Sequence, residues 1–103
     1  MGKLIYGDRE IEIEDRTLAH LKIVMLTKLR RSESFAFNYA HDVNSGSGRC
    51  TLWVHPSISL EFAFYGNRSP ELNREWVEAL LMSANSPDGL RVLPEHPSSV
   101  GTN

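Results

Sequence analysis

The chain has 103 residues and a formal net charge of −2, with 41% hydrophobic and 23% charged residues. That length holds one domain with one core, and that balance excludes a chain disordered throughout. The slight acidic excess argues against a dedicated duplex-DNA binder, which draws most of its non-specific affinity from a strong basic excess. Cys50 is the single cysteine. It can form no internal disulfide, so no oxidising compartment is implied. The N-terminus soon turns acidic, unlike a secretory signal, and the apolar run Ile23–Leu26 is far too short to span a bilayer. The chain therefore reads as cytoplasmic, without a membrane partner.

Lys3–Tyr6 is apolar-rich, Gly7-Asp8-Arg9 reads as a turn, and Glu10–Glu14 alternates strictly between glutamate and isoleucine. This period of two predicts an opening β-hairpin with Ile11 and Ile13 inward and the glutamates in solvent. Asp15 is a suitable N-cap for a helix whose apolar stripe is Leu18, Leu21, Val24, Met25 and Leu29. Lys28, Arg30 and Arg31 fall in its last turn. There they complement the helix dipole, with phosphate contact as the functional alternative.

Three alternating runs follow: Phe35–Tyr39, Cys50–Val54 and Leu60–Tyr65. The polar Asn44–Gly48 stretch separates the first two, and Pro56-Ser57 breaks the ladder after the second. Ser34–Tyr65 thus reads as a three-stranded antiparallel meander. Ser69-Pro70-Glu71 predicts the start of a second helix, with Leu72, Trp76, Ala79, Leu80 and Ser83 on one face. Asn85–Gly89 ends it, Leu90–Leu93 suits a short final strand, and the proline- and serine-rich chain from Pro94 reads as a frayed tail. The order β-β-α-β-β-β-α-β predicts an α+β fold: a mainly antiparallel sheet with two helices on one face, a single domain over residues 1–93, and a tail over 94–103.

The sequence has no glycine-rich phosphate loop, paired Cys-x-x-Cys or His-Glu-x-x-His. His20, His41, His55 and His96 are scattered over four elements. No cofactor, metal site or catalytic residue is therefore expected. Cys50 alternates with Leu52 and Val54 and reads as a buried structural thiol. If the apolar alternates face the helices, the open sheet face carries Ala36, Asn38, Thr51, Trp53, His55, Glu61, Ala63 and Tyr65.

Exposed aromatics beside small residues usually form a contact surface. One reading is a protein-interaction surface, most simply a homodimer anchored by Trp53 and Tyr65. A second is stacking of single-stranded nucleic acid or a nucleotide on the same rings, with Arg49 and Arg68 meeting phosphates. A third is proton transfer by a His55–Glu61 pair, though the sequence positions no nucleophile beside it and the reading leans away from an enzyme.

Several stretches carry a family resemblance: Met1–Gly7, Asp15–Leu21, Lys28–Arg31 with Ser34-Phe35, Trp53–Ile58, Leu72–Trp76 and Ser83–Ser86. Together they resemble a family of small actinobacterial proteins of unknown function, of about this length and often labelled ATP-dependent DNA ligase. The resemblance runs nearly to Pro94-Glu95 and implies a DNA-related setting. It supplies no catalytic residues. The adenylated Lys-x-Asp-Gly of such ligases is missing, since Lys3, Lys22 and Lys28 precede Leu-Ile, Ile-Val and Leu-Arg. Besides His55 and the open face, the positions to examine are Arg68, which precedes the second helix, and Asn73 and Arg74. For these the structural alternatives are a turn residue paired with Glu71 and a solvated helix face.

Overall fold

The structure, a computed structural model, describes residues 1–43 and 46–96, with side chains described outside 41–47. The opening hairpin forms as the alternation requires. Strand β1 (Gly2–Tyr6) pairs antiparallel with β2 (Arg9–Ile13), placing Leu4 opposite Ile11 and Lys3 opposite Glu12. Gly7 supplies the positive φ of 61° at the turn.

Helix α1 (Asp15–Arg30) buries Leu18, Leu21, Val24 and Met25, four residues of the expected stripe. Asp15 does not cap it. The chain enters through Glu14, and the Asp15 carboxylate instead accepts hydrogen bonds from the amides of Gly66 at 2.9 Å and Tyr65 at 3.3 Å. Those two bonds hold its carboxyl below the usual range. At the other end Ser32 adopts φ 59°, and the amides of Ser32 and Glu33 bond back to the carbonyls of Leu29 and Lys28. This is a Schellman closure with serine where glycine is usual. Lys28 does more than complement the dipole. It is buried, and its ammonium donates to Asn85 Oδ1 at 2.7 Å and pairs with Glu33 at 3.1 Å.

The expected meander is corrected. Strands β3 (Phe35–Val43) and β4 (Gly46–Val54) pair antiparallel, but β5 (Leu60–Ala63) leaves β4 and pairs with β1. The result is two three-stranded sheets, β2-β1-β5 and β4-β3-β6. The Tyr6 hydroxyl stands at the break. It donates to the carbonyl of Trp53 at 2.8 Å and accepts from the amide of His55 at 3.0 Å. The turn that follows carries the chain across to β1, where the Gly7 amide bonds to the Ser59 carbonyl.

Helix α2 (Arg74–Ala84) begins later than Ser69-Pro70 suggests, because Asn73 caps it. Its buried residues are Trp76, Leu80 and Ala84, whereas Leu72 and Ala79 are exposed. Strand β6 (Leu90–Arg91) is shorter than expected and runs parallel to β3 at Phe37 and Asn38. The helices pack on each other, α1 on β1 and α2 on β3 and β6. Of the segment read as a frayed tail, Glu95 and His96 hold side-chain and backbone bonds to Arg16 and Asn73, and residues 97–103 lie outside the described residues.

Candidate functional site

The residues expected to share one open face are divided between two sheets. Trp53 projects from β4 on the side away from the buried Phe35, Phe37 and Val54, opposite Ala36 on β3. It is 63% exposed. Tyr65 is 65% exposed, but it follows β5 in the other sheet, beside the face that carries Lys3. No ring contact joins the two aromatics among the described residues. They therefore do not form the paired platform that the alternation suggested.

His55 stays near Trp53, but its ring is engaged locally. Its Nδ1 accepts from the Ser57 hydroxyl at 2.8 Å and from the Ser57 amide at 3.1 Å. Glu61 belongs to β5, opposite Ile5, and no hydrogen bond links it to His55. The proton-transfer pair is not assembled.

Asn38 is a clamp. Its Nδ2 donates to the carbonyls of Asp88 at 2.8 Å and Leu90 at 3.4 Å, and its Oδ1 accepts from Thr51 at 2.6 Å. Those bonds fasten β6 to the hairpin and occupy the polar edge that a ligand would use. Arg49 is exposed on β4, on the same face as Thr51 and Trp53. Cys50, expected to be buried, is half-buried and faces a groove between β2 and the far end of the β3–β4 hairpin.

Arg68 lies in an exposed turn and borders a small hollow of about 270 Å³ with Lys22 and Phe64. It does not sit at a helix start, because α2 begins at Arg74. The amide of Trp76 in the first turn is already taken by the Asn73 side chain at 3.3 Å. No ion pair joins Arg68 to Glu71 among the described residues. Arg74 is exposed, whereas Asn73 is buried rather than on a solvated helix face.

Asn73 belongs to a polar network that sequence reasoning missed. Its amide donates to Nε2 of the fully buried His20 at 2.8 Å, and His20 Nδ1 lies 2.7 Å from the Arg16 carbonyl. With a donor on one ring nitrogen and an acceptor on the other, the ring is neutral with its proton on Nδ1. It packs on Trp76 at 4.4 Å between centroids, and the Trp76 indole donates to the Leu93 carbonyl. Asn73 Nδ2 donates to Glu95 and to the His96 carbonyl, while Arg16 grips Glu95 with two nitrogens at 2.6 and 2.8 Å. The Arg16 guanidinium, then the Asn73 amide, hold the Glu95 carboxyl down to about 2. The traces of this network in the sequence are a histidine at a helical stripe position, four residues from an arginine, and Asn73, whose partners no local pattern reveals.

Every polar group of that network is answered within the chain, which marks it as structural. Among the described residues no three His, Cys, Asp or Glu side chains gather as a metal-binding group, and no helix is long and apolar enough to cross a membrane. Residues 1–95 match a domain of unknown function, DUF7882. The chain belongs to the DUF7882 family. The family match ends at Glu95, the residue that closes the network on Arg16. No curated protein and no solved structure matches the chain. In this DUF7882 member the exposed Trp53 surface and the groove beside β2 are two features of the described residues without an internal task.

Proposed function

We propose that this DUF7882 domain is a small protein-interaction module that forms a homodimer through the surface around Trp53. The observation that carries the reading is the exposure of Trp53, 63%, on the open face of β4. Tryptophan is among the residue types enriched at the energetic centre of interfaces. Ala36 opposite Trp53 is half-buried, with Gly89 packed close against its Cβ, so the surface open to a partner is the indole itself. Tyr6 borders it with its hydroxyl already satisfied, and His55 with its Nδ1 bonded to Ser57, so burial there leaves few groups unpaired. A cytoplasmic setting suits a chain with one cysteine and no internal disulfide.

Light scattering on the eluting protein tests it. The wild type is expected at twice the chain mass, and Trp53→Arg at the chain mass with an unchanged circular dichroism spectrum. A wild type that stays monomeric at high concentration refutes the reading.

A second reading rests on Arg49 sharing a face with Trp53. A single-stranded nucleic acid or nucleotide would stack on the indole while the guanidinium met a phosphate. The DNA-related setting implied by the ligase label of similar actinobacterial proteins would act through this surface. Titration of single-stranded DNA at low salt, followed by Trp53 fluorescence, tests it. An unchanged signal removes it.

A further inference from the structure

We infer that the groove beside β2 receives an extended peptide with alternating basic and apolar side chains, which adds to the free edge of β2 as a further strand. The groove adjoins the Trp53 face through Arg49 and Thr51 but does not include Trp53, and the inference does not depend on the homodimer. Strand β2 is the outer strand of its sheet and pairs only with β1 among the described strands. Across the groove, β3 has a second neighbour only at Phe37 and Asn38, where β6 pairs with it. Residues of both strands line one open volume of about 1010 Å³, β2 through Ile11–Ile13 and β3 through Asn38–Ala40. Unpaired strand edges present a row of amides and carbonyls that an incoming strand can bond. Alternate residues of an antiparallel strand turn their amide and carbonyl to the same side, so β2 offers about two or three such positions on its free side.

The side chains of β2 indicate what the incoming strand must carry. Its even positions, Glu10 and Glu12, point away from the core, whereas Ile11 is buried and Ile13 half-buried. The one neighbour that β2 has shows the matching chemistry. Lys3 of β1 lies opposite Glu12 and donates to Glu10 at 3.2 Å. Both Glu12 and Glu14 border the groove, and among the described residues neither is in a close ion pair; Lys3 acts on Glu12 and Arg16 on Glu14 only at longer range. On the far wall Arg91 is already paired with Asp88 at 2.9 Å, and the exposed Arg49 stands on the β4 side, so the acidic character of the groove is concentrated along β2. On β1 the outward face carries Lys3 and Ile5 and the inward face Leu4; a strand with basic residues on one face and apolar residues on the other repeats the Lys3 contact along the glutamates. It places charge opposite Glu12 and small apolar groups beside Ile11 and Ile13.

The test uses the full chain and two capped hexapeptides, one alternating lysine and valine and the other alternating glutamate and valine. Nuclear magnetic resonance follows amide exchange and affinity. The lysine peptide is expected to slow exchange of free-edge amides in β2 by about tenfold and to bind about tenfold more tightly than the glutamate peptide. Glu12→Lys, an exposed position, is expected to reverse that preference, and Glu12→Gln to weaken it. Trp53→Arg is expected to leave it intact, so failure here is distinguishable from failure of the homodimer. Equal binding of the two peptides, or binding without slowed exchange in β2, overturns the inference. So does protection that rises with protein concentration in the absence of peptide, which would make a second copy the occupant.

Discussion

The backbone amide of Asn73 donates to Nε2 of His20 at 2.8 Å, so the first residue outside α2 is fastened to a ring buried in the middle of α1. His20→Ala would remove a fully buried ring and leave that amide without a partner. The expected loss is about 3 kcal/mol in urea denaturation. His20→Gln, which can still accept from Asn73, is expected to lose less. A loss within about 0.5 kcal/mol for His20→Ala, the range of a neutral surface change, would contradict the structural role. Nitrogen-15 shifts of the wild-type ring are expected to report the neutral form protonated at Nδ1.

Glu95 makes the stability dependent on acidity. Its carboxyl falls from 4.5 to about 2 through Arg16 and then Asn73. A depressed folded value means that the carboxylate stabilises the fold above its unfolded value, and that this contribution disappears as pH falls toward the folded one. Glu95→Gln is therefore expected to be less stable than the wild type at pH 7. The gap should close between about pH 4.5 and 2. Denaturation of both proteins at pH 7, 4 and 2.5 checks this. A gap independent of pH would show that the ion pair is not its source.

The Tyr6 hydroxyl joins the two sheets by bonding Trp53 and His55 at once. Tyr6→Phe keeps the ring and removes both bonds. The expected cost is about 1 kcal/mol, with faster exchange of the His55 amide. Unchanged exchange at His55 would mean that the amide has another acceptor.

Ser32 holds a left-handed conformation, φ 59°, with its amide needed for the closure of α1. Ser32→Gly relieves the contact between Cβ and the backbone at the cost of a looser unfolded chain. A net gain of about 0.5 to 1 kcal/mol is expected in urea denaturation. A loss of stability would indicate that the serine side chain, rather than its backbone, serves the turn.

Local pattern determined most of the elements. The alternation of Glu10–Glu14 and the stripe from Leu18 to Met25 depend only on which side of a strand or helix meets the core, and that is written in residue spacing. The α+β class and the order of elements follow from the same spacing. Partners across the fold are not so written. A strand with one apolar face can pair with any compatible edge, so the sequence did not distinguish β4 from β1 as the neighbour of β5.

That choice of neighbour separated Trp53 from Tyr65 and dissolved the aromatic platform. Asn73 and Glu95 show the same limit. Each is an ordinary polar residue in its local context, and only tertiary packing brings His20 and Arg16, far away in sequence, within hydrogen-bonding reach. The sequence by itself determined which residues are apolar, in what period, and hence the elements and the α+β class. Only the tertiary structure decided which edges remain open and which polar groups are already answered, because both depend on contacts between segments that no local pattern encodes.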